Sequence, residues 1–313
     1  MKMTTVILNP RANSERAYRK WQKIETAIRQ RLREPQIVQT STCEEVFFIM
    51  PQLLAEKPTL VIAAGGDGTV NVVLNALMNA AAENTRDEIT IGAIGLGSSN
   101  DFHKPFIAER MIAGVPLRVN ANTAQRHDLG KMTYRDAAGA WRQKIFIVNA
   151  SIGVTAAANW LYNSGEPLIE WLQQRSVTAA ILWAALKTLV RYHNVPAALD
   201  LEGSQSLTTT VTNLGIIKNP HFAGDFCYDT PIAVDSGDLG VNLCERMNFM
   251  ERLKILYHLA HHSFLGRAKT WAGRARRLHF QTAVPVPVET DGEVVMTDEA
   301  HFEILPQALR ICQ

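Results

Sequence analysis

The chain has 313 residues, enough for two domains of ordinary size, and its 47% hydrophobic and 20% charged residues are typical of a globular protein. A formal net charge of +2 is too balanced to favour a nucleic-acid partner, and we expect none. The four cysteines are scattered, which argues against a zinc cluster or disulfide framework and favours a cytoplasmic location. The longest apolar run, at 177–186, is too short to span a membrane.

The first 125 residues or so alternate short apolar runs with helix-favouring segments. Alternation of this kind is typical of a parallel sheet covered by helices. We predict strands at TTVIL, QIVQTS, TLVIAA and EITIGAIGLG, with helices at 14–33, 44–57 and 70–82 between them. The sequence therefore predicts an α/β N-terminal domain with a parallel sheet over residues 1–127, which the last residues, about 300–313, rejoin.

Beyond residue 128 the pattern changes to period-two alternation, which favours β-strands. The alternating runs include QKIFIVNASIGV, LTTTVTNLGII, LGVNLCERM and HFEILP, with turn residues between them. Helical stretches at 156–192 and 249–267 interrupt these runs. The sequence predicts a C-terminal antiparallel β-sandwich domain with helical inserts, the β-rich substrate domain, over residues 128–299.

Glycine-rich turns follow two predicted strands of the N-terminal domain. They are GGDGT at 65–69 and IGLGSSNDF at 94–102. Glycines let the backbone approach a phosphate closely, and the N-terminus of the following helix attracts anions. A carboxylate such as Asp67 fits there if it shares a cation with the phosphate, or if it forms a hydrogen bond with the nucleotide or with an acceptor hydroxyl. The alternative is a tight turn in which Asp67 or Thr69 caps the helix.

A third motif, Asp291-Gly292-Glu293, lies near the C-terminus. An Asp-Gly pair favours a hairpin turn by itself. A carboxylate such as Glu293 can also accept the proton of a hydroxyl that attacks a phosphoryl group. The two interpretations are compatible, because the hairpin turn can be what directs the Glu293 side chain toward the acceptor hydroxyl.

These motifs resemble, in order and spacing, the diacylglycerol kinase catalytic-domain family. The segments that carry the resemblance are GGDGTVNVVLNAL, IGAIGLGSSNDF, VNASIGV, DSGDLGV and TDGEV, and it covers nearly the whole chain. The family includes bacterial soluble lipid kinases and is related to sphingosine and ceramide kinases. The resemblance implies the NAD-kinase/diacylglycerol-kinase-like fold and an ATP-dependent lipid kinase with ATP and Mg²⁺ as cofactors. Such an enzyme transfers the γ-phosphate to the hydroxyl of a lipid alcohol, diacylglycerol-like or sphingoid-like.

The resemblance also implies roles for individual residues. Glu293 takes the position of the general base, and Asp67 is the second catalytic residue. The nucleotide-binding positions are Asn9, Pro10, Gly65, Gly66, Gly68, Thr69, Asn71, Gly97, Ser98, Asn100 and Asp101. A structural Mg²⁺ is expected at Asp235 or Asp238, unless Ser236, which replaces a family aspartate, removes the site.

Two alternative functions stay open. An NAD kinase shares the fold and the GGDGT turn, but the GSSNDF segment and the Asp-Gly-Glu motif argue against it. The second alternative is a nucleotide-binding protein with little kinase activity, because several positions depart from the family pattern. Those positions are Ala12, Asn13, Thr155 and Ser236.

A basic stretch, Arg252 to Arg277, combines cationic residues with apolar residues at helical spacing. A kinase that acts on a lipid must reach a membrane surface, so this stretch is compatible with peripheral contact at the inner membrane face. The alternative is a helix that packs its apolar stripe on the β domain and leaves a solvated basic face. A homodimer is compatible with the sequence as well.

Overall fold

The computed structural model describes residues 3–12, 16–202 and 206–313, and it divides into two compact units. The first unit comprises Met1–Leu129 and Leu305–Gln313. The second unit comprises Gly130–Ile304. Each boundary falls inside a long strand, so the chain passes between the units without an intervening linker.

The first unit alternates strands and helices along the chain. Its elements are β1 (Thr4–Leu8), α1 (Arg16–Leu32), β2 (Gln36–Gln39), α2 (Cys43–Ala55), β3 (Leu60–Gly65), α3 (Asp67–Ala80), α4 (Glu83–Glu88), β4 (Thr90–Gly95), β5 (Met111–Ile112), β6 (Val115–Arg118) and the start of β7 (Gln125–Arg135). The strands pair in parallel in the order β4–β3–β1–β2. At the end of the chain, Arg310 and Ile311 pair in parallel with β4. The predicted parallel α/β sheet is confirmed.

Burial explains why these segments form strands and helices. β3 and β4 are buried along their whole length, as expected for parallel strands that are covered on both faces. α1 buries Trp21, Ile24 and Ile28, which fall on one face at helical spacing. α3 begins at Asp67 rather than at Val70, because its first turn is polar and apolar periodicity cannot detect it.

The second unit is an antiparallel assembly of strands with helical insertions. Its elements after β7 are β8 (Trp141–Phe146), β9 (Asn149–Gly153), α5 (Val154–Tyr162), α6 (Pro167–Arg175), α7 (Val177–Arg191), β10 (Val195–Leu201), β11 (Leu207–Ile217), β12 (His221–Phe222), β13 (Phe226–Cys227), β14 (Leu239–Glu245), α8 (Phe249–Ala260), β15 (Thr270–Ala275), β16 (Arg277–Thr290) and β17 (Glu293–Ile311). The strand order is β15–β14–β11–β10–β16–β17, and β9 pairs with both β11 and β16. Phe146, Phe280 and Phe302 are fully buried in the core of this unit.

The helical stretch predicted over 156–192 is divided into α5, α6 and α7. We call residues 154–191 the helical insert. The chain turns between α5 and α6 at Gly165, which has a φ of 73°, and Pro167 starts α6. Ser176 then caps α7 by accepting a hydrogen bond from the Ala179 N–H. Among the described residues, no helix combines the length and the hydropathy that crossing a membrane requires.

β16 and β17 form a hairpin whose two-residue loop is Asp291 and Gly292. Both residues have positive φ, 46° and 95°. That conformation matches the twist of the flanking strands and explains the Asp-Gly pair. Thr290 and Glu293 face each other in the register, so Glu293 is the first residue after the turn.

Candidate functional site

The two glycine-rich turns of the first unit lie against each other. A Cβ placed on Gly97 would lie 2.6 Å from the Gly66 Cα, and one placed on Gly65 would lie 2.2 Å from the Thr69 Oγ1. Non-bonded heavy atoms cannot approach so closely, so a larger residue at Gly97 would force the two turns apart, and one at Gly65 would displace Thr69 of its own turn. Gly97 is therefore needed to pack one turn on the other, and Gly65 is needed for the shape of the first turn.

α3 starts in the first turn with an open N-terminus. Gly66 is the N-cap residue, and as a glycine it has no side chain with which to cap the helix. Gly68 is exposed, and a Cβ at this position would meet nothing within 4 Å. Backbone N–H groups at the start of a helix lack intrahelical partners and are favourable sites for phosphate. The N-cap residue of α3 is therefore Gly66 rather than Asp67 or Thr69.

Asp67 connects the two turns through its carboxylate. The Oδ2 atom accepts a hydrogen bond from the Asp101 N–H at 3.0 Å, and Oδ1 accepts one from the Phe102 N–H at 2.9 Å. These N–H groups start a single 3₁₀ turn that runs from Asp101 to His103. Asp67 thus holds the second glycine turn in place, and its direct role on a cation or an acceptor hydroxyl stays a prediction.

The second turn is shaped by Asn100. This residue is buried in the left-handed region, with a φ of 50°, and its Oδ1 accepts a hydrogen bond from the Gly97 N–H at 3.0 Å. Asp101 is also buried and forms an ion pair with Lys104 at 2.8 Å. Ser98 is exposed at the tip of the turn. Of the positions predicted to bind nucleotide here, Gly97 and Asn100 build the turn, and Ser98 faces solvent.

The end of β1 contributes Asn9 and Pro10, both partly exposed. The Asn9 Nδ2 donates a hydrogen bond to the Thr69 Oγ1 at 3.3 Å, which brings Asn9 to the first glycine turn. Asn71 is different, because it is buried within α3 and its Oδ1 accepts a hydrogen bond from Asn75 Nδ2 at 3.0 Å. The structure therefore places Asn9 at the turns, whereas Asn71 contacts the next turn of its own helix.

Two lysines beside the second turn were not predicted from the sequence. Lys20 of α1 donates a hydrogen bond to the Gly97 carbonyl at 2.7 Å, and Lys104 is the partner of Asp101. Burial lowers the pKa of Lys20. Lys20 lies in a helix rich in charged residues, so no sequence signal separates it from its neighbours. Positive charge near an open helix N-terminus favours anion binding further.

His103, at the end of the 3₁₀ turn, is a neutral packing residue. Burial, followed by the charge of Arg118, lowers the pKa of His103 to about 3. Its ring meets Phe102 edge-on at 5.5 Å, and neither ring nitrogen has a hydrogen-bond partner among the described residues. The charge at this turn therefore comes from the lysines and carboxylates rather than from the histidine.

In the second unit, Glu293 borders a cavity of about 370 Å³. Its carboxylate forms an ion pair with Lys144 of β8. The helical insert contributes Trp160, Asn163 and Ser164 to the wall of the same cavity. A carboxylate and an ammonium thus meet at a cavity that can admit a hydroxyl-bearing ligand.

Buried carboxylates fix the turn that presents Glu293. Asp291 accepts hydrogen bonds from three consecutive backbone N–H groups, at 147–149, with distances of 2.8 to 2.9 Å. Glu289 accepts a hydrogen bond from the Ser151 hydroxyl at 2.7 Å. Neither Glu289 nor the supply of backbone donors to Asp291 by residues 147–149 was predicted from the sequence.

Positions that depart from the family pattern form hydrogen bonds within the protein, in the part of the chain that the structure describes. Thr155 lies in α5, and its hydroxyl donates to the Asn213 Oδ1 at 2.8 Å. The Ala12 N–H donates to the Asn9 carbonyl at 3.4 Å. Asn13 lies outside the described residues.

A lysine ammonium occupies the turn that was predicted to hold Mg²⁺. The Lys218 Nζ donates hydrogen bonds to the carbonyl oxygens of Ala233 and Asp238, both at 3.0 Å, and to the Ser236 Oγ at 3.5 Å. Lys218 is only 3% exposed. Carbonyls that converge on a buried position need a positive charge there, and Lys218 supplies it.

The residues of this turn do not fit a Mg²⁺ ion. The Asp238 carboxylate lies 3.7 Å from the Arg276 Nε, and Asp235 is exposed. Magnesium requires oxygen ligands at about 2.1 Å, and here it would have to share its carbonyls with the Lys218 ammonium. Two cations at such close range repel each other strongly. The metal site expected at Asp235 and Asp238 is therefore replaced, in this chain, by an internal ammonium.

Two protein-family models match the chain. Residues 3–132 match the diacylglycerol kinase catalytic domain, and residues 149–313 match the YegS C-terminal NAD kinase beta sandwich-like domain. The chain therefore combines a diacylglycerol kinase catalytic domain with a C-terminal domain of the YegS family. This confirms the resemblance found in the sequence, together with the α/β N-terminal domain and the sandwich-like C-terminal domain.

Solved structures with a similar fold come from Bacillus anthracis str. Sterne. A diacylglycerol kinase from this organism is 16% identical, with a TM-score of 0.66 over 99% of this chain and 96% of the other. Two structures of a proposed diacylglycerol kinase have TM-scores of 0.72 and 0.73 at 17% and 16% identity, and they cover 99% of this chain. The matches cover 96% and 97% of those two chains. No curated protein matches the sequence significantly.

Replacement of Asp67 separates its structural role from a direct catalytic one. We expect Asp67→Ala to lower turnover and, at the same time, amide-exchange protection at Asp101 and Phe102, because their N–H groups lose their acceptors. Each lost hydrogen bond should cost about 1–3 kcal/mol locally. Asp87→Ala, which removes an exposed carboxylate of the same unit, is the control. If turnover fell while exchange at the 3₁₀ turn stayed unchanged, Asp67 would act directly on the cation or acceptor instead.

Replacement of Lys218 tests the internal ammonium. Lys218→Met keeps the length of the side chain but leaves the converging carbonyls without their donor, so we expect the unfolding free energy to fall by about 2–4 kcal/mol. Addition of Mg²⁺ to the EDTA-treated wild-type chain should leave its melting temperature unchanged. A fall in melting temperature on EDTA treatment that Mg²⁺ restores would contradict this assignment.

Proposed function

We propose that this protein is an ATP-dependent lipid kinase that transfers the γ-phosphate to the hydroxyl of a lipid alcohol, diacylglycerol-like or sphingoid-like. The observation that carries the proposal is the pair of apposed glycine turns at the open N-terminus of α3, flanked by Lys20 and Lys104. It occurs in a member of a kinase family whose enzymes use ATP.

The nucleotide phosphates lie at the start of α3 in this proposal. The backbone N–H groups of 66–68 and the Lys20 ammonium receive their negative charge. Mg²⁺ bound with the nucleotide would neutralise part of that charge, and Asp67 is the carboxylate placed at the turn to hold it. The exposed Ser98 hydroxyl is available for a further hydrogen bond to the nucleotide.

The acceptor hydroxyl binds in the cavity beside Glu293. There the hydroxyl donates its hydrogen bond to the Glu293 carboxylate. As the alcohol oxygen forms its bond to the γ-phosphorus, the proton passes to Glu293, and the bond to the leaving ADP oxygen breaks. The Lys144 ammonium, which is already paired with Glu293, offsets the negative charge of the incoming phosphoryl group.

A turnover assay distinguishes this function from its alternatives. Labelled ATP is supplied with a panel of lipid alcohols, and NAD is included as a control acceptor. Phosphorylated lipid supports the proposal, whereas phosphorylated NAD would identify an NAD kinase. ATP binding in a calorimetric titration, without transfer to any acceptor, would identify a nucleotide-binding protein with little kinase activity.

Glu293→Gln is the direct test of the base. The amide keeps the shape of the side chain but accepts no proton, so kcat should fall by about 10²–10⁴-fold while ATP affinity stays the same. Glu303→Gln is a matched control, because Glu303 also lies on β17, also pairs with a lysine, and is 33% exposed against 37% for Glu293. Equal activity in the two variants would remove Glu293 from the mechanism.

A kinase that acts on a lipid needs a surface that contacts the membrane. Two cations of the basic stretch 252–277 are instead engaged in contacts within the protein. Arg252 is buried and donates hydrogen bonds to the carbonyls of Leu189 and Tyr192 at 3.0 and 2.9 Å. Lys269 is paired with Glu251 at 2.8 Å. These two cations stabilise the fold and are poorly placed to attract anionic lipids.

The helical insert is the better candidate for the membrane surface. Its own core is small, consisting of Ile169, Ala180 and Ala184. Eight large apolar residues of the insert are exposed to solvent: Trp160, Leu168, Trp171, Ile181, Leu182, Trp183, Leu186 and Val190. Exposed tryptophan and leucine residues with nearby arginines are typical of helices that lie in a membrane interface.

The insert is also continuous with the acceptor cavity. Trp160 is both an exposed residue of the insert and part of the wall beside Glu293. On α6, the Arg175 guanidinium lies over the Trp171 ring at 4.0 Å, a pairing suited to the boundary between lipid headgroups and acyl chains. We therefore place the membrane contact of the proposed kinase on this insert.

Vesicle sedimentation compares the two candidate surfaces. Leu182 on the insert and Tyr257 in the basic stretch are 64% and 61% exposed. Leu182→Glu should weaken binding to anionic vesicles at least about tenfold, because burial of a leucine contributes roughly 1.5–3 kcal/mol. Tyr257→Glu should have little effect. The reverse result would return the membrane contact to the basic stretch.

A further inference from the structure

Two histidines and a glutamate meet on the β16–β17 hairpin. His279 and His301 are directly opposite each other in the antiparallel register, and their rings stack at 4.1 Å with 4° between the planes. Glu299 lies two residues before His301 and therefore on the same side of β17. Its Oε1 is 3.2 Å from the His279 Nε2 and 3.6 Å from the His301 Nε2.

The two distances to Glu299 are close to those between ligand atoms in a metal coordination shell, and metal binding would require the stacked imidazole rings to turn until both point at the same ion. For bonds of about 2.0–2.2 Å, the ligand atoms of a tetrahedral site are roughly 3.3–3.6 Å apart. All three candidate ligand atoms lie within 4.8 Å of one another. Imidazole nitrogen and carboxylate oxygen are ligands that Zn²⁺ accepts readily, whereas Mg²⁺ prefers oxygen alone.

The surroundings orient the glutamate and leave room for a further ligand. The second carboxylate oxygen of Glu299 is held by Arg135, which leaves Oε1 directed at the histidines. Partners that orient a ligand in this way are usual around metal sites. A cavity of about 540 Å³ that both histidines line can admit a water molecule as the next ligand.

The positive charge of Arg135 opposes a cation at this position, and acidic residues offset that repulsion. Asp200, Glu202 and Glu303 line the same cavity as the histidines. Of these, Glu303 pairs with Lys131 and lies 3.9 Å from Arg277, a further cation that lines the cavity. The nearby carboxylates, together with Glu299, keep the surroundings favourable for a divalent cation.

We propose that His279, Glu299 and His301 bind a divalent transition-metal cation of the Zn²⁺ type, with water as a further ligand. The metal would act as a clip between β16 and β17. The same hairpin carries Glu293 at its turn, so the clip would stabilise the element that presents the proposed base. None of the three ligands belongs to the nucleotide or acceptor site, so metal binding and kinase activity can be tested separately.

A titration of the full chain with Zn²⁺, read by competition with a chromophoric chelator, tests the site. We expect one equivalent to bind, and Co²⁺ in its place should give visible absorption bands of low-coordinate cobalt. His301→Ala should weaken Zn²⁺ binding at least tenfold and abolish the rise in melting temperature that Zn²⁺ produces in the wild-type chain. Mg²⁺ should produce neither signal.

His193→Ala is the matched control, because His193 is exposed in the same unit and belongs to no such cluster of described residues. It should bind Zn²⁺ as the wild-type chain does. Glu299→Gln, which keeps the side-chain shape, provides a second ligand variant if His301→Ala is unstable. A wild-type chain that binds no Zn²⁺ would overturn the proposal. Ligand variants that bind as tightly as His193→Ala would do the same, and the cluster would then be a hydrogen-bonded pair of imidazoles on a carboxylate.

Discussion

Carboxylates that accept backbone N–H groups are the constraint on which both candidate sites depend. Asp67 fixes the second glycine turn of the first unit, and Asp291 fixes the loop 147–149 of the second. Hydrogen bonds from backbone donors to an ionised carboxylate are short and strong, and removing such an acceptor leaves N–H groups unsatisfied. Each site is therefore built on a turn that a single aspartate stabilises.

Lysine ammonium groups then set the electrostatics of these turns. Lys20 donates a hydrogen bond to the Gly97 carbonyl of the second glycine turn, and Lys144 forms an ion pair with Glu293. The Lys218 ammonium lies in the turn 233–238. Burying an ammonium group is costly unless acceptors surround it. Lys218 has three such acceptors, which is why it can take the place of a metal ion. Lys20 and Lys144 remain partly exposed, as groups that meet a charged ligand should.

Several features were predictable because they are local. The run TLVIAA predicts a buried parallel strand, and β3 is buried along its whole length. The Asp-Gly pair predicts a hairpin, and Asp291 and Gly292 form its loop. The start of α3 at Asp67 was missed because its first turn has no apolar residue. The break of the helical stretch 156–192 at Gly165 and Pro167 was missed although both residues mark turns.

The sequence by itself determined the class of the fold, its domain order and the family, because periodicity, turn residues and motif spacing depend on neighbours along the chain. Only the tertiary structure decided which charges meet. The ion pair of Lys144 with Glu293 joins residues 149 positions apart, and the hydrogen bond from Lys20 to Gly97 spans 77. Pairs so far apart along the chain leave no periodic signal in the sequence. Nothing in the strand, helix or turn that carries each residue distinguishes it from its neighbours. The Lys218 ammonium and the His279–Glu299–His301 cluster appear only when separate strands and turns are brought together by burial of the core.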